Sequence, residues 1–164
     1  MLSFPNLSLF ITILFSGLIA GLLYSYSCSV NLGLKALPDE GYLKAMQSIN
    51  VAIQNPYFFV CFIGLLLLFP LTTWGWYTKL PVPVFYLLLS ASILYLVGVF
   101  GVTIFGNVPL NNQLAQFDIS NASPHEISSM RLTFESAWNK YHFIRTITAV
   151  LSFGLTILAL LKNK

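Results

Sequence analysis

Three apolar runs, roughly Leu7 to Ser29, Tyr57 to Tyr77 and Val82 to Phe105, are long enough as helices to cross a hydrocarbon layer about 30 Å thick. A fourth run, Ile147 to Leu161, has about 15 residues and reaches only about 22 Å at roughly 1.5 Å per residue. To span, it must draw in Arg145 and His142, which makes the fourth crossing residues 142–161 beside crossings at 7–29, 57–77 and 82–105. Ionisable groups at such depth are costly, and they face a bundle interior or a wet cavity unless they snorkel to the headgroups.

The rest of the composition fits that frame. Hydrophobic residues make up 57% of the chain and charged residues 8%, against about a quarter charged in soluble domains. The sequence reads as one integral membrane domain over residues 1–164, all-α, a four-helix transmembrane bundle. No Lys or Arg precedes Lys35, so the first run lacks the basic start of a signal peptide and is expected to stay in the mature chain. A net charge of +3 without a concentrated basic face excludes a nucleic-acid binder. Lys79, Lys162 and Lys164 share one side of the membrane with the N-terminus, and all five acidic residues lie on the other. That asymmetry favours both termini in the cytoplasm.

Between the crossings, two amphipathic elements are expected to cap one end of the bundle. One starts at Pro38 and Asp39, carries Leu43, Met46, Asn50 and Ile53 at helical spacing, and stops at Asn55 and Pro56. The other opens with a capping box, Ser123 and Glu126 around Pro124, and runs without a breaker into the fourth crossing. One helix from Pro124 to Leu161 follows, its first half projecting out of the bilayer. Pro109 is expected to close the third helix. Gly17 and Gly21 form a small-xxx-small packing signal, and Trp74, Trp76 and Tyr77 an interfacial belt. Cys28 and Cys61 fall at similar depth; a periplasmic disulfide is geometrically open, but two buried, unpaired thiols are the favoured reading.

The alternating topology gathers Asn50, Asn107, Asn111, Asn139, His142 and Arg145 at one level. Trp138, His142 and Arg145 share a helix face by i, i+3 and i+4 spacing, with Asn139 and Tyr141 adjoining. Two uses compete. A small-molecule site needs an apolar pocket of about 300 Å³ or more with a few convergent polar groups. A structural clasp, tying the cap to the bundle by hydrogen bonds, needs no void. On the clasp reading the protein is a non-catalytic lipid- or quinone-binding module, or a small subunit of a larger membrane assembly. No metal is expected, because His125 lies about four turns from His142. Arg131 and Glu135, at i, i+4, read as a surface ion pair.

The stretches Leu37-Pro38-Asp39 leading to Met46 through Asn50, Gly106 through Asn111, and Trp138 through Thr146 resemble the anthrone oxygenase-like family of small four-span membrane proteins. The resemblance implies a bacterial inner-membrane protein and oxidation of flat polycyclic substrates by O₂ without a cofactor; a homo-oligomer or a place in a membrane assembly stays open beside it. For that chemistry His142 is the candidate base, and Arg145 with Asn107 or Asn139 the candidate holder of an enolate oxygen. Trp138 and Tyr141 then flank the substrate, with Asn50 and Asn111 in reach of it.

Overall fold

The computed structural model describes residues 4–77 and 81–162, so the turn with Lys79, the N-terminal residues Met1 to Ser3, and Lys164 lie outside the described residues. Everything regular within them is helical. Four helices are long and apolar enough to cross a membrane, Asn6–Lys35, Pro56–Trp76, Val82–Ala115 and Pro124–Leu161. We call them the first to fourth spanning helices. Each packs against its two neighbours in a ring, first on second, second on third, third on fourth and fourth on first. The sequence thus anticipated the architecture, including the start and end of the fourth helix.

Local signals set the helix ends. Asn55 follows the cap helix α1 (Asp39–Ala52) and caps the second spanning helix, its side chain accepting from the Phe58 amide at 3.1 Å with Pro56 in the first turn. The Ser123–Glu126 capping box is present in both directions.

The first and third spanning helices run further than expected, to Lys35 and Ala115. Each contains π-helical turns, at Tyr26–Val30 in the first and at Leu94–Gly101 and Thr103–Asn107 in the third. Pro109 does not close the third helix. It sits at the start of the segment Val108–Ala115, directly after a π turn, where the loosened i to i−4 ladder tolerates a residue without an N–H.

Two glycines draw the third helix onto the fourth. A methyl group on Gly98 would lie 2.6 Å from Thr148, and one on Gly106 2.7 Å from the Tyr141 ring. Of the expected packing pair, Gly17 faces the Phe153 ring, and Gly21 meets nothing. At the end away from the cap, Leu9, Trp76, Val84, Leu88 and Ala159 form a closed core. Trp76 is therefore core rather than belt, whereas Trp74 and Tyr77 are exposed as an interfacial pair should be. Cys28 and Cys61 are free; Cys28 is exposed and Cys61 half-buried, which corrects the expectation that both are buried.

The cap is fastened by Arg131. Its guanidinium donates to Glu135 at 3.0 Å, to Asp39 at 2.9 Å, and to the carbonyls of Leu37 and Lys35 at 2.7 and 3.1 Å, and it lies over the Tyr42 ring. A residue read as half of a surface ion pair is thus the hub joining α1 and its linker to the fourth helix. Burial, with the nearby Glu135 carboxylate, raises the pKa of the Tyr42 hydroxyl, which finds no hydrogen-bond partner.

Candidate functional site

His142 turns inward from the fourth spanning helix and is 2% exposed. Its ring stacks on Trp138, centroids 5.0 Å apart, and meets the edge of Tyr26 at 5.0 Å. Arg145, one turn on, directs Nε and Nη2 at His142 Nδ1, 3.3 and 3.2 Å away. A guanidinium can only donate, so Nδ1 is the acceptor and the ring proton of a neutral imidazole resides on Nε2. Nε2 lies 2.8 Å from Ser27 Oγ, which passes its own hydrogen to the Leu23 carbonyl at 3.1 Å. A directed chain results, from Arg145 through His142 and Ser27 to the backbone of the first helix. The π turn Tyr26–Val30 brings Tyr26 and Ser27 to that position.

Arg145 has no carboxylate partner among the described residues. Its remaining contacts are Thr103 Oγ1 at 3.5 Å and the face of Trp138, 5.1 Å from the ring centroid. Buried charges are ordinarily paired. This one instead borders a cavity of about 270 Å³, just below the usual range for ligand pockets. The wall is mostly apolar, with Ile19, Leu23, Phe58, Phe62 and Ile63 on one side, and Tyr26, Asn50, Asn111, Trp138, His142 and Arg145 supply the aromatic and polar groups. The Asn50 amide nitrogen is buried there without a partner.

The eight candidate residues fall into two groups. Asn50, Asn111, Trp138, His142 and Arg145 line the cavity. Asn107, Asn139 and Tyr141 are not among its lining residues. Asn139 accepts from Asn31 Nδ2 at 2.9 Å, and Tyr141 packs over Gly106. Asn107 is fully buried, donates to the Trp138 carbonyl at 3.2 Å, and leaves its own carbonyl oxygen unpartnered. Asn111 serves both groups, since its side-chain oxygen also accepts from the Trp138 indole at 2.9 Å. Clasp and void therefore coexist.

Sequence reasoning missed Tyr26, Ser27, Asn31 and Thr103. The hydroxyl-rich run from Ser25 to Ser29 was the available signal for Ser27. No cluster of three or more His, Cys, Asp or Glu suited to a metal occurs among the described residues.

Residues 56–155 match the anthrone oxygenase family. The chain belongs to the anthrone oxygenase family. The matched region includes the Gly106–Asn111 and Trp138–Thr146 stretches and leaves the cap segment Leu37–Asn50 outside. No curated protein and no solved structure matches the chain.

Proposed function

We propose that the cavity binds a small, flat aromatic or quinone-like molecule and oxidises it with O₂ without a cofactor. The observation that carries this reading is the uncompensated Arg145 guanidinium at the edge of a mostly apolar cavity, a setting suited to an apolar body with one anionic oxygen. Trp138 provides a flat wall, and Asn50 and Asn111 provide amides within the same space.

The chemistry proposed runs through an enolate. A CH₂ conjugated with a carbonyl through the aromatic rings that flank both loses a proton to His142 Nδ1, the electron pair moves onto the carbonyl oxygen, and Arg145 holds that oxygen. O₂ then attacks the electron-rich carbon; in net, CH₂ becomes C=O and the second oxygen atom leaves as water. His142 and Arg145 act in exchange. Nδ1 holds the one free lone pair of the ring, and Arg145 occupies it until the guanidinium swings to the ligand. Proton acceptance and oxyanion binding are in this way one motion. Ser27 fixes the tautomer that leaves Nδ1 open to it.

Oxygen uptake by purified protein given anthrone tests this. Uptake is expected in the native protein and lost in His142→Ala, with helical content and elution profile retained. Native-like uptake in that variant would exclude His142 as the base.

A second reading has its own support. Because Arg145 already occupies the Nδ1 lone pair, the pocket is also suited to holding a lipid- or quinone-like acid without removing any proton. Saturable binding that depends on Arg145, with no oxygen uptake, would select it. For placement we propose a bacterial inner membrane with both termini cytoplasmic, supported by Lys79, Lys162 and Lys164 in the short turn and tail on the side of the termini, the other side's cations lying in longer loops.

A further inference from the structure

The cavity has walls of two kinds. On the cap side Asn50 of α1, Gln54 just beyond it and Asn112 bring polar groups to the rim, beside Ile49 and Ile53. On the flank it is lined by Phe59, Ile63 and Ile104, which also face outward, 40%, 43% and 38% exposed. These three belong to the second and third spanning helices. A side chain that borders an internal space and the outer surface together is a wall one residue thick.

Helix packing explains why the wall is thin there. Gly98 and Gly106 press the third helix against Thr148 and Tyr141 of the fourth, and the π turn Thr103–Asn107 lies in the segment so held. The second helix approaches the third along Val82–Ile93 and Leu94–Gly101, and at Thr103–Asn107 the two backbones are no longer close. The gap therefore opens within the apolar length of both helices.

We propose that this gap is a side door through which the ligand enters from the hydrocarbon, passing between Phe59 and Ile63 on one jamb and Ile104 on the other. The proposal rests on the reading of the cavity as a ligand site. The occupant is the same flat apolar molecule with one anionic oxygen, and its route follows from its chemistry. An apolar body concentrates in the bilayer, and a path past the polar side chains of Gln54 and Asn112 offers its flat face nothing. Entering sideways, it meets Phe58, Phe62 and Trp138 first with its flat body, and Arg145 then draws in its oxygen.

The door can be tested without any ligand, using Trp138 as the reporter inside. The protein carrying Trp74→Phe and Trp76→Phe is placed in nanodiscs of phosphatidylcholine brominated near the carbonyl end of its acyl chains. The same measurement is made as a difference between native protein and Trp138→Phe, which keeps Trp76 in its core. Trp138 emission is expected to lose most of its intensity relative to unbrominated lipid, and Ile63→Phe with Ile104→Phe is expected to restore it. Emission untouched by brominated lipid, emission quenched instead by aqueous acrylamide, or quenching indifferent to the two phenylalanines would each overturn the door. Quenching retained in a protein that neither binds nor oxidises any flat acid would keep the door and remove the ligand reading.

Discussion

The two halves of the bundle interior both bury polar side chains and treat them differently. Away from the cap, neutral hydroxyls pair with one another or with backbone: Thr12 with Thr72 at 2.9 Å, Thr73 with Ser92 at 2.9 Å, and Ser152 with the Ala91 carbonyl at 2.8 Å. Near the cap, a guanidinium without a carboxylate and an unpartnered Asn50 nitrogen line an open space. The first arrangement is closed, and its groups hold helices together. The second leaves hydrogen-bonding capacity unused where a third party can reach it, which is the difference between packing and a site.

Four comparisons probe that contrast, from the largest expected effect to the smallest, the last with a single-site control. Arg145→Gln removes the free cation while keeping a donor, and oxygen uptake is expected to fall about 10²- to 10³-fold, the usual cost of one oxyanion donor. Thermal unfolding in detergent should change little, and a loss of stability matching the loss of activity would assign Arg145 to the clasp. Gly106→Ala drives a methyl group into the Tyr141 ring and is expected to destabilise by about 1–3 kcal/mol, read from the unfolding midpoint.

Asn50→Leu removes a buried donor without a partner, so stability is expected to rise by about 0.5–2 kcal/mol while ligand affinity falls. A fall in both would mean that Asn50 belongs with the closed half. Finally, Thr12→Val with Thr72→Val replaces both partners of a hydroxyl pair by apolar groups of the same shape, and is expected to leave stability and uptake nearly unchanged. Thr12→Val alone should be the more damaging change, by about 1 kcal/mol.

How much of this was legible depends on the range of the interaction that fixes each feature. The Ser123–Glu126 box and the Asn55-Pro56 start are set by residues three apart, and sequence displays them directly. The shared face of Trp138, His142 and Arg145 follows from helical period alone, and the submersion of His142 and half-burial of Arg145 follow from the shortness of the last apolar run. Ser27 was not legible as the His142 partner, because the two are 115 positions apart and meet through a π turn that no local motif announces. Arg131 was misjudged for a related reason. Its i+4 acid is visible in the sequence, whereas Asp39 and the two carbonyls come from a linker some 90 residues earlier. Trp76 read as an anchor beside Trp74, yet positions two apart on a helix point about 200° apart, and one faces out while the other faces the core.

The wide turn at Thr103–Asn107 carries a consequence for how this chain tolerates change. A π turn holds one residue more than an α turn, so excising a single residue there should let the segment relax to the tighter form. Everything downstream to Ala115 would then keep its present face, and Asn111 would stay on the indole it now receives. A one-residue gap at this point in a homologous chain is thus absorbed by the turn, whereas the same gap just beyond it, between Val108 and Leu110, would swing the rest of that segment by about 100° and carry Asn111 off the Trp138 indole.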